Sequence, residues 1–163
     1  QSIFNKDWFT GNIFSIFGKN YKVVFNMLKE ILAISGQPGL FKLISKGNNS
    51  IIVESLINGK RFPSFSTSKI ISLEDIAIYT DSGEVSLKEV YKKIVSDEEL
   101  KKGIDPKSSS NVLKDYFLKV LPDYDRDRVY VSDMKKVLQW YKILLDKDLL
   151  HFSEEAEEVK SEE

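Results

Sequence analysis

The chain of 163 residues has no cysteine and one histidine, His151. The missing thiols exclude disulfides, cysteine nucleophiles and cysteine-ligated zinc or iron–sulfur sites, and they fit a reducing compartment. Any histidine-based metal site or Ser-His-Asp triad would depend on His151 alone. Because His151 follows the last predicted helix, where a cation interacts favourably with the helix dipole, we expect no catalytic or metal-binding role for it.

Long apolar runs and the common catalytic motifs are missing as well. No run approaches the roughly 20 apolar residues that cross a bilayer, so we expect no membrane span. The sequence also lacks the phosphate-binding loop, the dinucleotide fingerprint and the nucleophile elbow. We therefore expect a non-enzymatic protein with no cofactor and no bound metal.

Charge is nearly balanced overall, at a net −1, but it is unevenly distributed. The last stretch, "SEEAEEVKSEE", holds six acids and one lysine, so it carries −5 and leaves +4 on residues 1–152. We expect 153–163 to be a disordered acidic tail, and the basic remainder is compatible with an anionic partner. Residues 1–26 precede the first methionine, and we interpret them as an extension, an over-called start or a segment that the natural protein lacks.

Turn residues divide the region 27–82 into short strands. A short helix is predicted in "MLKEILAIS", and Pro38-Gly39 fits the centre of a type II turn. Strands are predicted in "LFKLIS", "IIVESLI", "KRFPSFS", "KIIS" and "IAIYT", with a 3₁₀ turn capped by Ser72 before the last of them. This order is typical of a small SH3-like β-barrel, which we predict for residues 27–82.

The dipeptide Asn58-Gly59 predicts a β-hairpin with a two-residue type I′ turn. Such a turn fixes the pairing, placing Leu56 opposite Arg61 and Glu54 opposite Pro63. Because proline cannot donate to a strand ladder, the stretch around Pro63 is predicted to lie at a sheet edge or a bend.

Helical periodicity takes over in residues 84–152, for which we predict a helical domain. Ser86 is positioned to cap a first helix, and Gly103 to close a second one. Further helices are predicted in "VLKDYFLKVL" and, with Ser132 as its cap, in "DMKKVLQWYKILLDKDLL". The predicted fold is therefore α+β, a small SH3-like β-barrel followed by a helical domain.

Several segments resemble one family of small Bacteroidota proteins. They are "LKEILAISGQPGLFKLISKG", "IIVESLINGKRFP", "SLEDIAIYT" and "LPDYDRDRVYVSDMKKVLQWY", and they occur in order across residues 27–152. The family is known as a domain of unknown function followed by a helical domain of unknown function. The resemblance implies a cytoplasmic protein and this two-part layout, and it brings no catalytic residues.

A basic rim on the barrel is the first candidate binding site. Lys60 and Arg61 directly follow the hairpin turn, and Lys42 and Lys69 are predicted on the same side. Cations beside Phe62 and other rings are what single-stranded nucleic acid requires, because phosphate needs charge and bases need stacking. The alternative is that the rings form the barrel core and the lysines keep an edge strand soluble.

The acidic stretch "DYDRDR" is the densest cluster of carboxylates before the tail. Alternating aspartates can bind Ca²⁺ or Mg²⁺, but a calcium loop also needs a glycine and a later glutamate. Because arginines interleave here and glycine is missing, we interpret the stretch as a loop with local ion pairs.

Trp140 is the second candidate binding residue, since it lies off the apolar stripe of its helix. Such a ring forms an interface with another molecule, or it packs back onto the barrel. We therefore predict a binding or adaptor protein whose partner is another protein or a second copy. The alternative is an RNA- or ribosome-associated protein that uses the basic rim.

Overall fold

The structure is a computed structural model, and it describes residues 14–16, 19–21, 27–65 and 67–152. The chain divides into two units, of which one contains a short hairpin of β1 (Phe14–Ile16) and β2 (Lys19–Tyr21). Otherwise the predicted extension 1–26 lies outside the described residues, as does the predicted tail 153–163. The other unit, residues 26–152, is compact and carries all the candidate binding residues.

The compact unit contains seven further strands, three α-helices and three 3₁₀ turns among its described residues. The strands are β3 (Ile31–Ile34), β4 (Phe41–Lys46), β5 (Ser50–Ser55), β6 (Arg61–Phe65), β7 (Ile70–Ser72), β8 (Ala77–Thr80) and β9 (Gly83–Ser86). The helices are α1 (Leu87–Ser96), α2 (Ser110–Val120) and α3 (Val131–Asp146), and the 3₁₀ turns are Met27–Glu30, Leu73–Asp75 and Leu100–Lys102.

Five strands form an antiparallel sheet in the order β6-β5-β4-β3-β7. One of its faces carries a small core of Leu32, Ile34, Phe41 and Val53, on which Phe62 and Ile70 from the two edge strands pack. This core therefore extends across one face of the whole sheet, from one edge strand to the other. The fold is α+β, as predicted.

The predicted SH3-like barrel is wrong in one respect, because the sheet does not close. A closed barrel would need "IAIYT" to pair with the sheet, but β8 pairs with β9 in a separate hairpin. Thr80 of β8 also bridges to Tyr124, and Ile78 is buried in the core of the helices. Burial against the helices therefore diverts this strand from the sheet.

The helix predicted in "MLKEILAIS" is a 3₁₀ turn followed by β3. Ile31 faces the large core, and Leu32 and Ile34 face the small one. A strand that is buried on both faces shows no polar alternation, so its apolar residues can match a helical spacing by coincidence. The branched Ile31 and Ile34 suit a strand.

A large core joins the sheet to the helices. The apolar faces of α1, α2 and α3 form one part of this core. The region of the sheet contributes the other part, which consists of Leu28, Ile31, Leu40, Leu56 and Leu73. The strands and the helices therefore pack as one unit.

The predicted helix caps are confirmed in part. Ser86 Oγ accepts from the Glu89 amide and caps α1, as predicted. Gly103 closes the 3₁₀ turn Leu100–Lys102, where a second helix was predicted. The last helix begins one residue before Ser132, because Tyr130 is its N-cap and donates its amide to the Asp133 side chain.

Candidate functional site

The hairpin after β5 differs from the predicted one in its register. Glu54 pairs with Arg61 and Val53 with Phe62, two positions away from the predicted pairs. Only Gly59 has a positive φ in the turn, at +69°, so a type I′ turn cannot form. Leu56 is buried in the large core and its amide donates to the Leu40 carbonyl. Burying Leu56 lengthens the loop to residues 56–59.

The observed register aligns Lys42, Glu54 and Arg61 across three neighbouring strands. Arg61 Nε donates to Glu54 Oε2 over 2.6 Å, and Lys42 stands opposite Glu54 in the pairing with β4. Two of the four predicted rim cations therefore flank one carboxylate. This arrangement reduces the positive potential that a phosphate backbone would meet.

The other two rim cations lie apart. Lys60 is exposed at the end of the hairpin loop, where its amide donates to Asn58 Oδ1. The Lys69 carbonyl accepts from the Ser35 amide beside β7, at the opposite edge of the sheet from β6. The strand order therefore does not support the prediction that Lys69 shares a rim with Lys60 and Arg61.

Ile57 in the hairpin loop covers Gly39 and approaches α3. The Ile57 side chain is 58% exposed, yet its Cδ1 occupies the space that a Cβ at Gly39 would need. The same Cβ position lies 3.9 Å from Ile143 Cδ1. Gly39 therefore fits between the loop and α3 because it has no side chain and can adopt its φ of +86°.

Trp140 lies one helical turn before Ile143 on α3. Both side chains are partly buried and pack against the large core, so the ring docks within the molecule while retaining an exposed part. Lys136 precedes Trp140 by four residues, and Lys147 follows Ile143 by four, which places both cations along this flank of α3. Through Ile57 and Ile143, the fold thus brings the hairpin loop that precedes Lys60 close to the helix of Trp140.

We name this surface the hairpin–α3 face. It consists of an apolar centre and three exposed cations: Ile57, Trp140, Ile143, Lys60, Lys136 and Lys147. The sequence pointed to Lys60 and Trp140 separately, but Ile57 was assigned to a strand and missed. The local sequence does not show whether Ile57 belongs to the strand or to the loop, because the burial of Leu56 is what makes Ile57 a loop residue.

The rings proposed for base stacking divide into two groups. Phe41 and Phe62 pack edge to face with centroids 5.5 Å apart at the small core, where Phe41 is buried and Phe62 is half-buried. Phe65, at the end of the edge strand β6, is exposed. Pro63 also lies on this edge strand, as predicted.

The "DYDRDR" stretch is held by local contacts, as expected. Asp125 accepts from the amides of Asp127 and Arg128 and from Arg128 Nε, the last over 2.6 Å. These contacts, the Arg128 side chain first, hold the pKa of Asp125 below its ordinary value. Arg128 also lies 4.2 Å from the centre of the Tyr79 ring.

Among the described residues, no group of three His, Asp or Glu side chains is placed to hold a metal ion.

A set of buried tyrosine hydroxyls was not predicted from the sequence. Tyr91, Tyr116 and Tyr141 donate to the carbonyls of Val137, Leu100 and Lys101 over 2.7–2.9 Å. Burial raises the pKa of each of the three phenols. Tyr91 thereby joins α1 to α3, and the other two join α2 and α3 to the 3₁₀ turn Leu100–Lys102. A repeated tyrosine within an apolar helix face was the available signal.

The C-terminal end of the described chain is solvent-exposed at His151. Its Nε2 lies 2.9 Å from Asp148 Oδ1, and both side chains are largely exposed.

No helix in the described ranges is both long and apolar enough to cross a membrane.

Comparison with known families assigns the two parts of the compact unit. Residues 28–73 match a domain of unknown function, DUF5606, and residues 76–144 match a second one, DUF6852. No curated protein matches the chain.

A solved structure is similar to most of the chain. It is the solution NMR structure of a Bacteroides vulgatus protein, with 46% sequence identity and a TM-score of 0.62. The match covers 77% of this chain and 91% of the Bacteroides chain. The chain belongs to this Bacteroidota family of unknown function. The family resemblance inferred from the sequence segments is thereby confirmed.

Proposed function

We propose that this family member is a non-enzymatic protein-binding or adaptor protein, and that the hairpin–α3 face is its contact surface. The observation that carries the proposal is the exposed Ile57 near Ile143 of α3, one helical turn from the partly buried Trp140. Aromatic and aliphatic side chains that are held rigidly by a core and ringed by polar groups are typical anchors of protein interfaces.

The polar groups of the described region support a binding role over a catalytic one. The three buried tyrosine hydroxyls are each bonded to a backbone carbonyl, and Asp125 is bonded to Arg128. The tyrosine hydroxyls join secondary-structure elements, and the Asp125–Arg128 pair stabilises its own loop. The position of Glu54 between Lys42 and Arg61 also favours a protein partner over a nucleic acid.

An affinity capture with paired variants tests the proposal. Full-length wild type, Ile57→Glu and Ile71→Glu are immobilised and exposed to a Bacteroidota lysate with and without nuclease. Ile71 is the matched control, because it is 50% exposed and lies on the opposite edge strand, β7. We expect one set of proteins to be retained by wild type and Ile71→Glu, lost with Ile57→Glu, and unaffected by nuclease.

Two results would contradict the proposal. Equal capture by Ile57→Glu and wild type would remove the hairpin–α3 face as the contact surface. Loss of the captured material after nuclease treatment would favour the RNA-associated alternative. Circular dichroism and thermal unfolding of both variants establish whether either substitution disturbs the fold.

A further inference from the structure

We infer that the partner presents an acidic segment with apolar side chains to the hairpin–α3 face. This inference rests on the proposed function and adds the chemistry of the ligand. The apolar centre of Ile57, Trp140 and Ile143 supplies the contact for aliphatic or aromatic side chains. Three lysines around it supply the contact for carboxylates.

The charge on this face is positive after its own contacts are satisfied. Within the described residues, Lys60, Lys136 and Lys147 form no ion pair. Of the acids on the same elements, Glu54 is paired with Arg61. Asp133, which accepts from the Tyr130 amide, and the exposed Asp146 remain charged, so three lysines stand against two carboxylates.

The sequence of α3 and its C-cap adds to this balance. Residues 131–147 hold four lysines against two aspartates, Asp133 and Asp146. Of these lysines, Lys136 and Lys147 are exposed on the flank of Trp140 and Ile143, so a ligand with the opposite sign complements them.

The combination of apolar side chains and lysines on the hairpin–α3 face favours an acidic peptide over other anions. A nucleic acid would need several cations along a continuous track, but the row of the neighbouring sheet contains Glu54 between Lys42 and Arg61. A purely polar anion would make no use of the Ile57 methyl groups. A short segment that alternates or clusters carboxylates with apolar side chains satisfies both parts of the surface.

Selection from a random peptide phage library tests this chemistry without assuming a sequence. The baits are the full-length wild type, Ile57→Glu, and a charge-reversed variant with Lys60→Glu, Lys136→Glu and Lys147→Glu. A matched variant reverses three exposed lysines elsewhere: Lys107→Glu, Lys114→Glu and Lys119→Glu. The selected peptides are synthesised, and their Kd values are measured against all four proteins at two salt concentrations.

We expect the peptides selected by wild type to be enriched in Asp or Glu together with Leu, Ile, Phe or Trp. Charge reversal at the face should weaken them on the order of tenfold, because each exposed pair contributes modestly. The matched variant should bind them as wild type does, and higher salt should weaken binding.

The two possible failures are distinguishable. Peptides that need Ile57 but are neutral or basic, and that ignore the charge reversal, would overturn the acidic partner and leave the proposed surface intact. Selected peptides that bind Ile57→Glu as tightly as wild type would overturn the hairpin–α3 face itself.

Discussion

Among single residues, the buried tyrosines show how polar groups serve the helical core. Tyr91, Tyr116 and Tyr141 each place a ring among apolar side chains and a hydroxyl on a backbone carbonyl. Tyr91 and Tyr141 also lie with ring centroids 5.8 Å apart. Because the 3₁₀ turn Leu100–Lys102 is short, the phenols of Tyr116 and Tyr141 help to fix its position.

The raised phenol pKa predicts that stability falls at high pH. In the folded protein Tyr116 keeps its proton above its ordinary pKa of 10.0, whereas in the unfolded chain it loses the proton near that value. The unfolded state then binds fewer protons, so the free energy of unfolding decreases as pH rises past about 10 and is unaffected by this group below it.

Tyr116→Phe separates this effect from the rest of the titration. At neutral pH we expect it to lower the free energy of unfolding by about 0.5–1.5 kcal/mol, since the Leu100 carbonyl loses its donor. Above about pH 10 the wild-type and variant curves should converge, because the variant has no proton to release there. Urea unfolding between neutral and alkaline pH measures both curves, and parallel curves throughout would contradict the prediction.

The register of the hairpin was the main error in predicting the candidate site. Asn58-Gly59 correctly predicted a hairpin between β5 and β6, and the positive φ of Gly59 agrees with it. The predicted two-residue loop was too short, because Leu56 is buried in the large core. Local turn residues cannot indicate such a long-range contact. The shift pairs Arg61 with Glu54 and thereby changes the charge of the rim.

Among the elements, the hairpin loop and α3 meet at Gly39. We expect Gly39→Ala to lower the free energy of unfolding by about 1–2 kcal/mol, because alanine is strained at the left-handed φ of this position. The added Cβ should also displace Ile57. Gly36→Ala is the matched control, because Gly36 has a similar φ of +80° and a Cβ there meets no atom within 4 Å. Urea unfolding and peptide binding are measured for both variants.

The two glycine variants should differ in binding more than in stability. Gly39→Ala moves Ile57 and should weaken the peptides selected on the hairpin–α3 face, whereas Gly36→Ala should leave their Kd unchanged. Equal binding by both variants would mean that the position of Ile57 does not matter to the face.

Elements bounded by strong local signals were the easiest to predict. Ser86 caps α1 and Ser72 caps the 3₁₀ turn before β8, where its Oγ accepts from the Glu74 amide. The strand β3 was missed because both of its faces are buried, which removes the alternation that marks a strand.

In the whole molecule, the large core makes the sheet and the helices depend on each other. Leu40 is fully buried and belongs to the cluster that contains the helix faces. We expect Leu40→Ala to lower the free energy of unfolding by about 2–5 kcal/mol, because it leaves a cavity at this junction. Amide hydrogen exchange should show a similar loss of protection in β5 and in α3.

Val53→Ala is the control that shows whether the loss of amide protection depends on which core is disturbed. Val53 is also fully buried, but it lies in the small core, to which the sheet alone contributes. We expect its substitution to reduce protection most in the sheet. If Leu40→Ala also reduces protection in the sheet while α2 and α3 keep their wild-type protection, the two parts fold independently and the prediction is wrong.

Local signals in the chain were enough to predict the α+β class, most strands and the three α-helices, because caps, turn residues and apolar periodicity act over a few residues. They were not enough to show that β8 pairs with β9 and leaves the sheet open, or that the loop of Ile57 lies against the helix of Trp140. These outcomes depend on how Leu56 and Ile78 are buried against residues distant in the chain. Burial of that kind is a property of the assembled core, and no short stretch of sequence contains it.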